Sequence, residues 1–359
     1  MNCFKGAKIF TDIKELDREY LQSTQDINFK FYQNERDFVV DEVPKEEFLG
    51  RGNYLILKVQ KVELTTWDMI AVFAELLDVP AQKIGYAGLK DKHATTTQYI
   101  SVESKYEHAL KNFQHKQIRI LERVRHSHSI RMGDLAGNRF SINLYDVDVM
   151  DAGKIEKVAR KIAKMGLPNY FGYQRFGQDA NSIEQAKEMI KGELFIEDAK
   201  LKSFLISVYQ SYYFNEWLRE RVILSREKNS SEFLLLSGDV YVGKDAKLST
   251  LKLIPTKEFA SKKLVPTGLL CGRDTFRAKY DARVIEEKYD DEFLPEKGYR
   301  REALIYPSDI DCKFVKKETM LNLSFTLPKG SYATVFLESI AGKNYSAKDV
   351  KQEKSRKNR

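Results

Sequence analysis

Apolar residues at every second position in several segments restrict this chain to a fold that contains a β-sheet. In residues 53–62, NYLILKVQKV, the side chains of Leu55, Leu57 and Val59 share one face of an extended strand. Further strands are predicted at residues 84–87, 95–102, 118–121, 140–149 and 321–327. The part of the chain before residue 150 is therefore predicted to be dominated by sheet.

Helical spacing marks one helix within this sheet region and then a second region of the chain. Residues 65–80, TTWDMIAVFAELLDVP, carry apolar residues at helical spacing and stop at Pro80. From Lys154 the helical spacing returns, and Gly166 stands where that helix would end. Further helices are predicted at residues 182–190 and 203–222. A second structural region is therefore expected to begin near Gly166.

The charge of the chain favours a polyanionic partner. Its 359 residues include 60 Lys and Arg against 52 Asp and Glu, which gives a net charge of +8.

No uncharged apolar run reaches the ~20 residues that a membrane-spanning helix needs, so we expect a cytoplasmic protein. The three cysteines are far apart in sequence and indicate neither a disulfide framework nor a cysteine metal site.

Several common enzyme signatures are absent from the sequence, including GxGxxG after a strand, GxxxxGK[ST], HExxH and GxSxG. His126 and His128 form an HxH pair that shares a strand face, but no third ligand is close in sequence. We therefore expect no metal site.

The stretch GYAGLKDKHATTTQYISV, residues 85–102, places Asp91 between Lys90 and Lys92 in the connection between two predicted strands. A solvated turn is the simplest interpretation of such a triplet. The small residues Gly85, Ala87, Gly88 and Ala94 argue against a simple solvated turn, because they allow backbone or a ligand to approach closely.

This stretch resembles the signature AGxKDkxAxTxQ of the TruD family of tRNA pseudouridine synthases. The residues that match are Ala87, Gly88, Lys90, Asp91, Lys92, Ala94, Thr96 and Gln98. Other segments match the family in order along the chain: DFVVDEVP (37–44), GNRF (137–140), LPNYFGYQRFG (167–177), SVYQSYYFNEWLRER (207–221), IYP (305–307) and LPKGSYAT (327–334). The resemblance spans nearly the whole chain.

The resemblance implies a mixed α/β (α+β) fold, with a pseudouridine-synthase catalytic domain on an antiparallel sheet and an inserted second α/β domain. The expected domains are a first catalytic part at 1–165, an inserted TRUD-type domain at 166–305 and a second catalytic part at 306–345. Residues 346–359 are predicted to form a basic, disordered tail.

The resemblance further implies an isomerase that converts uridine to pseudouridine without metal or cofactor, at position 13 in the D-arm of tRNA. Asp91 is then the catalytic carboxylate. Whether it attacks C1′, adds to the base or removes a ribose proton stays open. The expected partner is tRNA, with no membrane and no obligate protein partner, and a monomer is expected.

Four residues fall at positions similar to the family's substrate-binding residues: Phe38, Asn138, Phe140 and Tyr332. An extruded base is held by aromatic faces and by hydrogen bonds to its edge, which fits these side chains. The family also pairs its aspartate with a basic residue before DFxV. Lys30 is the candidate here, although its spacing from Phe38 is longer than in the family, and Arg36 competes with it.

A cleft between the two expected domains, lined by Arg123, Arg125, Arg131 and Arg139, is a hypothesis for the tRNA path, beside the alternative of a solvated basic strand. Two other functions stay open beside the isomerase. One is a non-catalytic protein that binds tRNA or assists its folding, and the other is a nucleic-acid-binding module inferred from charge alone. Neither requires an intact Asp91.

Overall fold

A computed structural model describes residues 17–22, 27–177, 181–228, 232–292 and 294–345. The basic tail predicted at residues 346–359 lies outside the described residues. Among the residues that the structure does describe, no helix has both the length and the apolar character that crossing a bilayer requires.

The described residues contain both strands and helices, so the predicted mixed α/β fold class is confirmed. The strands are β1 (Lys30–Phe31), β2 (Phe38–Pro44), β3 (Tyr54–Val62), β4 (Gly85–Tyr86), β5 (Thr95–Glu103), β6 (Ile118–His126), β7 (Leu135–Tyr145), β8 (Leu167–Pro168), β9 (Val240–Gly243), β10 (Leu248–Thr250), β11 (Leu264–Leu270), β12 (Tyr299–Glu302), β13 (Leu304–Ile305), β14 (Ser308–Val315) and β15 (Met320–Pro328). The helices are α1 (Thr66–Leu77), α2 (Val149–Met165), α3 (Asn181–Lys191), α4 (Ala199–Glu227), α5 (Thr256–Ala260), α6 (Tyr280–Glu286) and α7 (Ala333–Ala341).

The chain divides into two compact units. We call the first the sheet unit; it comprises Asn28–Glu156 and Pro307–Gly330. The helical unit comprises the described residues up to Ile27, Lys157–Tyr306 and those from Ser331 onwards. These limits reflect compactness alone, and the domain boundaries inferred from the sequence stay a prediction.

The sheet unit is built on one nine-stranded sheet whose main path runs β14-β15-β7-β2-β5-β3-β6, with β1 paired to β7 and β4 paired to β5. All pairs are antiparallel except β2 with β5, which are parallel. The parallel pair sets Val39 opposite Thr95, so β2 and β5 begin at the same end of the sheet. The loop that precedes β5 and the first residue of β2 therefore come to that end.

One face of this sheet is buried and largely apolar. Leu55, Leu57 and Val59 on β3 and Ile100 on β5 belong to one apolar cluster with Phe73 of α1. Helix α1 begins at a capping box in which Thr65 Oγ1 accepts from the main-chain N–H of Asp68, the third residue of the helix, while the Asp68 carboxylate accepts from Thr65 N. The strand and helix predicted from apolar spacing at 53–62 and 65–80 are confirmed.

The helical unit has its own core between α3 and α4. Ile183, Met189 and Ile190 of α3 pack with Leu205 and Tyr209 of α4. A four-stranded antiparallel sheet in the order β10-β9-β11-β12 belongs to the same unit, as does the short pair β8-β13. This unit carries Tyr332, directly before α7.

Candidate functional site

Polar side chains interrupt the apolar face of the sheet at one end. Residues opposite each other in register share a face, and Lys61 lies opposite Thr96, Thr96 opposite Val40, and Val40 opposite Phe140. The next row on the same face contains Glu42 and Gln98, two residues after Val40 and Thr96, and Asn138, two residues before Phe140. In this row Glu42 lies opposite Asn138. Lys61, Thr96 and Gln98 are each 0% exposed. A covered face with this many polar groups is a candidate functional site.

Asp91 lies in the loop between β4 and β5, at the same end of the sheet, and keeps an exposed surface. Burial by the surrounding protein nevertheless raises the pKa of its carboxyl above the ordinary value, against the nearby charges of Lys61, Lys90 and His93. The carboxylate is thus accessible and partly desolvated. That combination is typical of a group that acts on a substrate.

Two contacts hold Lys90, the residue before Asp91. The main-chain N–H of Lys90 donates to Thr66 Oγ1 at 2.9 Å, and Thr66 Oγ1 in turn donates to Gln98 Oε1 at 3.1 Å. Lys90 Nζ lies 2.5 Å from Glu42 Oε2, and both side chains are nearly completely buried. The loop is therefore tied to α1, to β5 and to β2.

Lys61 holds the main chain of Asp91 itself. Its ammonium donates hydrogen bonds to the carbonyl oxygens of Leu64, at 2.6 Å, and Asp91, at 2.8 Å. Burial lowers the pKa of Lys61 from 10.5 to about 8, and the nearby carboxylate of Asp91 acts in the opposite direction.

The structure brings Phe38 and Phe140 together, with ring centroids 6.1 Å apart, and Phe140 stacks on Phe325 at 5.4 Å. The two predicted substrate-binding rings are only 2% and 7% exposed. Asn138 Oδ1 is buried and has no hydrogen-bond partner within the described part of the chain. Of the three, Asn138 thus offers a hydrogen-bond acceptor that the protein leaves unused.

Tyr332 belongs to the helical unit, where its ring meets Phe171 edge to face, with centroids 6.2 Å apart. Gly172 makes room for this ring, because a Cβ there would lie 2.9 Å from Tyr332 Cδ1. The guanidinium of Arg301 lies over the ring of Phe171, 4.0 Å from its centroid. Tyr332 is therefore set in a group of aromatic and cationic side chains.

Lys30, the candidate basic partner of Asp91, lies on β1 and forms an ion pair with Asp146 at 2.7 Å. Both side chains of that pair are more than half exposed, and such pairs hold their members weakly. Arg36 is exposed. The partnership of Lys30 or Arg36 with Asp91 stays a prediction.

Three of the four arginines proposed for the tRNA path lie on strands of the sheet unit, and all four are exposed: Arg123, Arg125, Arg131 and Arg139. The guanidinium of Arg123 donates to Leu110 O at 2.9 Å, and that of Arg125 binds Glu107 at 2.6 Å. Their role with tRNA stays a prediction.

The structure adds Glu46 to the HxH pair, as a third group that the sequence did not indicate. Glu46 Oε1 lies 3.3 Å from His128 Nε2 and 3.7 Å from His126 Nε2. However, His126 Nδ1 accepts a hydrogen bond from Leu49 N at 3.3 Å. A neutral imidazole then carries its proton on Nε2, the nitrogen that a shared metal would need. This donor chemistry argues against a metal site.

Sequence reasoning missed Glu42, Lys61 and Thr66 as members of the site. A signal was present for two of them: Lys61 continues the apolar phase of Leu55, Leu57 and Val59, and Glu42 continues that of Phe38 and Val40. A charge at an apolar position of a strand indicates a group that needs a partner.

Comparison with known proteins identifies relatives that match most of the chain. The family model TruD, tRNA pseudouridine synthase D, matches residues 17–199 and 196–340. Proteins named tRNA pseudouridine synthase D from Wolinella succinogenes and Nitratiruptor sp. are 37% and 41% identical, each covering 91% of this chain and 98% of the relative. A solved TruD structure from Methanosarcina mazei is 22% identical, with a TM-score of 0.69 over 93% of this chain and 99% of that one, and shares the fold.

Proposed function

The chain belongs to the TruD family, tRNA pseudouridine synthase D, and from this premise we propose that it converts uridine to pseudouridine in tRNA with Asp91 as the catalytic carboxylate. The proposed target is the uridine at position 13 in the D-arm, which is the target that the family resemblance implies. The proposed enzyme is an isomerase that works as a monomer in the cytoplasm.

The observation that carries this proposal is the placement of Asp91 as an accessible carboxylate on an anchored loop. Isomerisation breaks the bond between uracil N1 and ribose C1′, turns the base and rejoins it through C5. One carboxylate suffices, because the base returns to the same sugar and no water has to be activated. The neighbouring acid, Glu42, is already neutralised by Lys90.

Recognition of the base is assigned to Asn138, Phe38, Phe140 and Tyr332. The N3–H of uracil is a donor, and the unused Oδ1 of Asn138 is a suitable acceptor for it. Phe38 and Phe140 expose little surface, so stacking on either ring requires part of it to become accessible. Tyr332 supplies a further aromatic face.

The test is to incubate the protein with unmodified tRNA transcripts and to map pseudouridine by chemical labelling and primer extension. Asp91→Asn is expected to abolish modification, and a transcript with cytidine at position 13 is expected to remain unmodified. Asp41→Asn, on β2, is the matched control and should retain the wild-type rate. Modification by Asp91→Asn at the wild-type rate would refute the catalytic role. Tight tRNA binding without any modification by the wild type would favour the non-catalytic alternative.

A further inference from the structure

Lys61 is a fully buried lysine at a strand position where its neighbours predict an apolar residue. It continues the face of Leu57 and Val59 on β3 and is 0% exposed. Both hydrogen bonds that its ammonium makes within the described part of the chain go to main-chain carbonyl oxygens, those of Leu64 and Asp91. A charged group is thus buried with neutral partners.

Such a placement costs folding free energy, since carbonyl groups replace only part of the hydration of an ammonium. Its pKa is lowered from 10.5 to about 8 by that cost and by the charge of Lys90, while the carboxylates of Asp91, Asp68 and Glu63 act in the opposite direction. A methionine would fill the same position of β3 without this cost of burying a charge. The charge of Lys61 therefore needs a reason other than packing.

We propose that Lys61 is the positioning residue of Asp91, an inference that rests on the proposed catalytic role of that aspartate. Its hydrogen bond to Asp91 O fixes the main chain from which the carboxylate projects. Its positive charge favours the ionised form of a carboxylate that the surrounding protein partly desolvates. Lys61 acts through Asp91 and makes no contact with the substrate.

The neighbouring contacts fix Lys90, whereas Lys61 fixes the main chain of Asp91 itself. Thr66 and Glu42 hold Lys90, the residue before Asp91, so the loop is fixed at two consecutive residues. Catalytic groups have to be held to within about 0.5 Å of the productive position. The cation that serves Asp91 then comes from β3, whereas the sequence directed attention to Lys30.

The experiment compares Lys61→Met, Lys61→Arg, Lys30→Met and the control Lys58→Met, which alters a partly exposed lysine on the same strand. Single-turnover rates on unmodified tRNA and tRNA dissociation constants are measured across the pH range in which the protein stays folded, from the acid limb up to pH 9. Lys61→Met should lower the rate at neutral pH by about 100-fold, because a small misplacement of a catalytic group costs this much, with tRNA affinity unchanged. Lys58→Met should keep the wild-type rate, whereas a loss in Lys30→Met with none in Lys61→Met would make Lys30 the partner of Asp91 and overturn the inference.

The pH profile separates positioning from a structural role. The wild-type rate should decline as Lys61 titrates near pH 8, and this decline should vanish in Lys61→Met and in Lys61→Arg. The acid limb, where Asp91 becomes protonated, should move to higher pH in Lys61→Met and return towards its wild-type position in Lys61→Arg, which restores the charge. If Lys61→Met keeps the wild-type rate and pH profile while Asp91→Asn is inactive, the role of Lys61 is overturned and the catalytic role of Asp91 stands.

A second measurement does not depend on turnover. The carboxyl carbon of Asp91 is assigned in NMR spectra as the resonance missing in Asp91→Asn, and its pKa should rise in Lys61→Met. An unchanged pKa of Asp91 in a folded Lys61→Met protein would overturn the inference whatever the activity. An active Asp91→Asn would instead refute the proposed function, and the role of Lys61 with it.

Discussion

Lys90 Nζ lies 2.5 Å from Glu42 Oε2, with the two side chains 5% and 1% exposed. The other carboxylate oxygen of Glu42 accepts from the main-chain N–H of Tyr99 at 3.2 Å. Because Lys90 directly precedes Asp91, this buried pair links β2 and β5 to the loop that carries the proposed catalytic residue.

Replacing Glu42 with glutamine is expected to lower the free energy of unfolding by about 3–5 kcal/mol, because the ammonium of Lys90 is left buried without a counter-charge. Urea denaturation measures the change. The control is Glu122→Gln, which breaks the more exposed pair with Lys58 and should cost at most about 1 kcal/mol. Adding Lys90→Met to Glu42→Gln should restore part of the loss. A double variant as unstable as the sum of both single variants would contradict this account.

Gly85 has no room for a side chain. A Cβ there would lie 2.2 Å from Ile130 O and 2.4 Å from Ser101 Oγ. Gly85→Ala is therefore expected to lower the free energy of unfolding by about 2 kcal/mol or more, by forcing β4 away from its neighbours. The matched control is Gly153→Ala, in helix α2 with nothing within 4 Å of its Cβ, which should stabilise by about 0.5–1 kcal/mol. Equal effects of the two substitutions in thermal or urea unfolding would contradict the steric argument.

The local periodicity of the sequence predicts individual elements well. The alternation of Leu55, Leu57 and Val59 and the helical spacing before Pro80 correspond to β3 and α1. The parallel pairing of β2 with β5 was not predictable in this way, since the apolar phase of one strand does not specify its neighbour. That pairing brings Phe38 and the loop of Asp91 to one end of the sheet.

The importance of Asp91 followed from its motif, whereas the contacts around it did not. The sequence of a single strand shows that Lys61 and Glu42 each share a face with apolar neighbours. It does not show whether that face is covered. Only the register across β3, β5, β2 and β7 places both charges on the buried face. The ion pair of Lys30 with Asp146 likewise depends on the pairing of β1 with β7.

The lowered pKa of Lys61 makes stability depend on pH. The unfolded chain keeps the proton of this lysine up to about pH 10.5, whereas the folded protein releases it near pH 8. The unfolded state thus binds more protons between these values, and the free energy of unfolding should rise with pH there, by up to about 3 kcal/mol. The measurement is the difference between wild type and Lys61→Met in urea unfolding at pH 7.5, 8.5 and 9.5. A difference independent of pH would show that Lys61 does not titrate in this range.

Gly172→Ala tests the position of Tyr332 without changing its chemistry. The new Cβ would lie 2.9 Å from Tyr332 Cδ1 and 3.1 Å from Thr334 Oγ1, so the ring must shift. If Tyr332 holds the base, the single-turnover rate should fall by about 10-fold or more. Tyr332→Phe keeps the stacking face and should keep the rate. A rate unaffected by Gly172→Ala would argue against a role for the ring.

Asn138→Leu is expected to separate activity from stability. The substitution removes a buried acceptor, Oδ1, that has no partner in the described part of the chain. Its loss should leave the free energy of unfolding unchanged or raise it by about 1 kcal/mol. The rate on tRNA should fall by about 10-fold or more, because a lost hydrogen bond to the base leaves a polar group unpaired in the complex.

The donor that Asn138 is proposed to bind is the N3–H of uracil, and a transcript with N3-methyluridine at the target position lacks it. Wild type should react more slowly with this transcript than with the unmodified one. Asn138→Leu should react at one low rate with both, since the hydrogen bond is already absent from the variant. A variant that still discriminates between the two transcripts as strongly as wild type would assign recognition of N3–H to another residue.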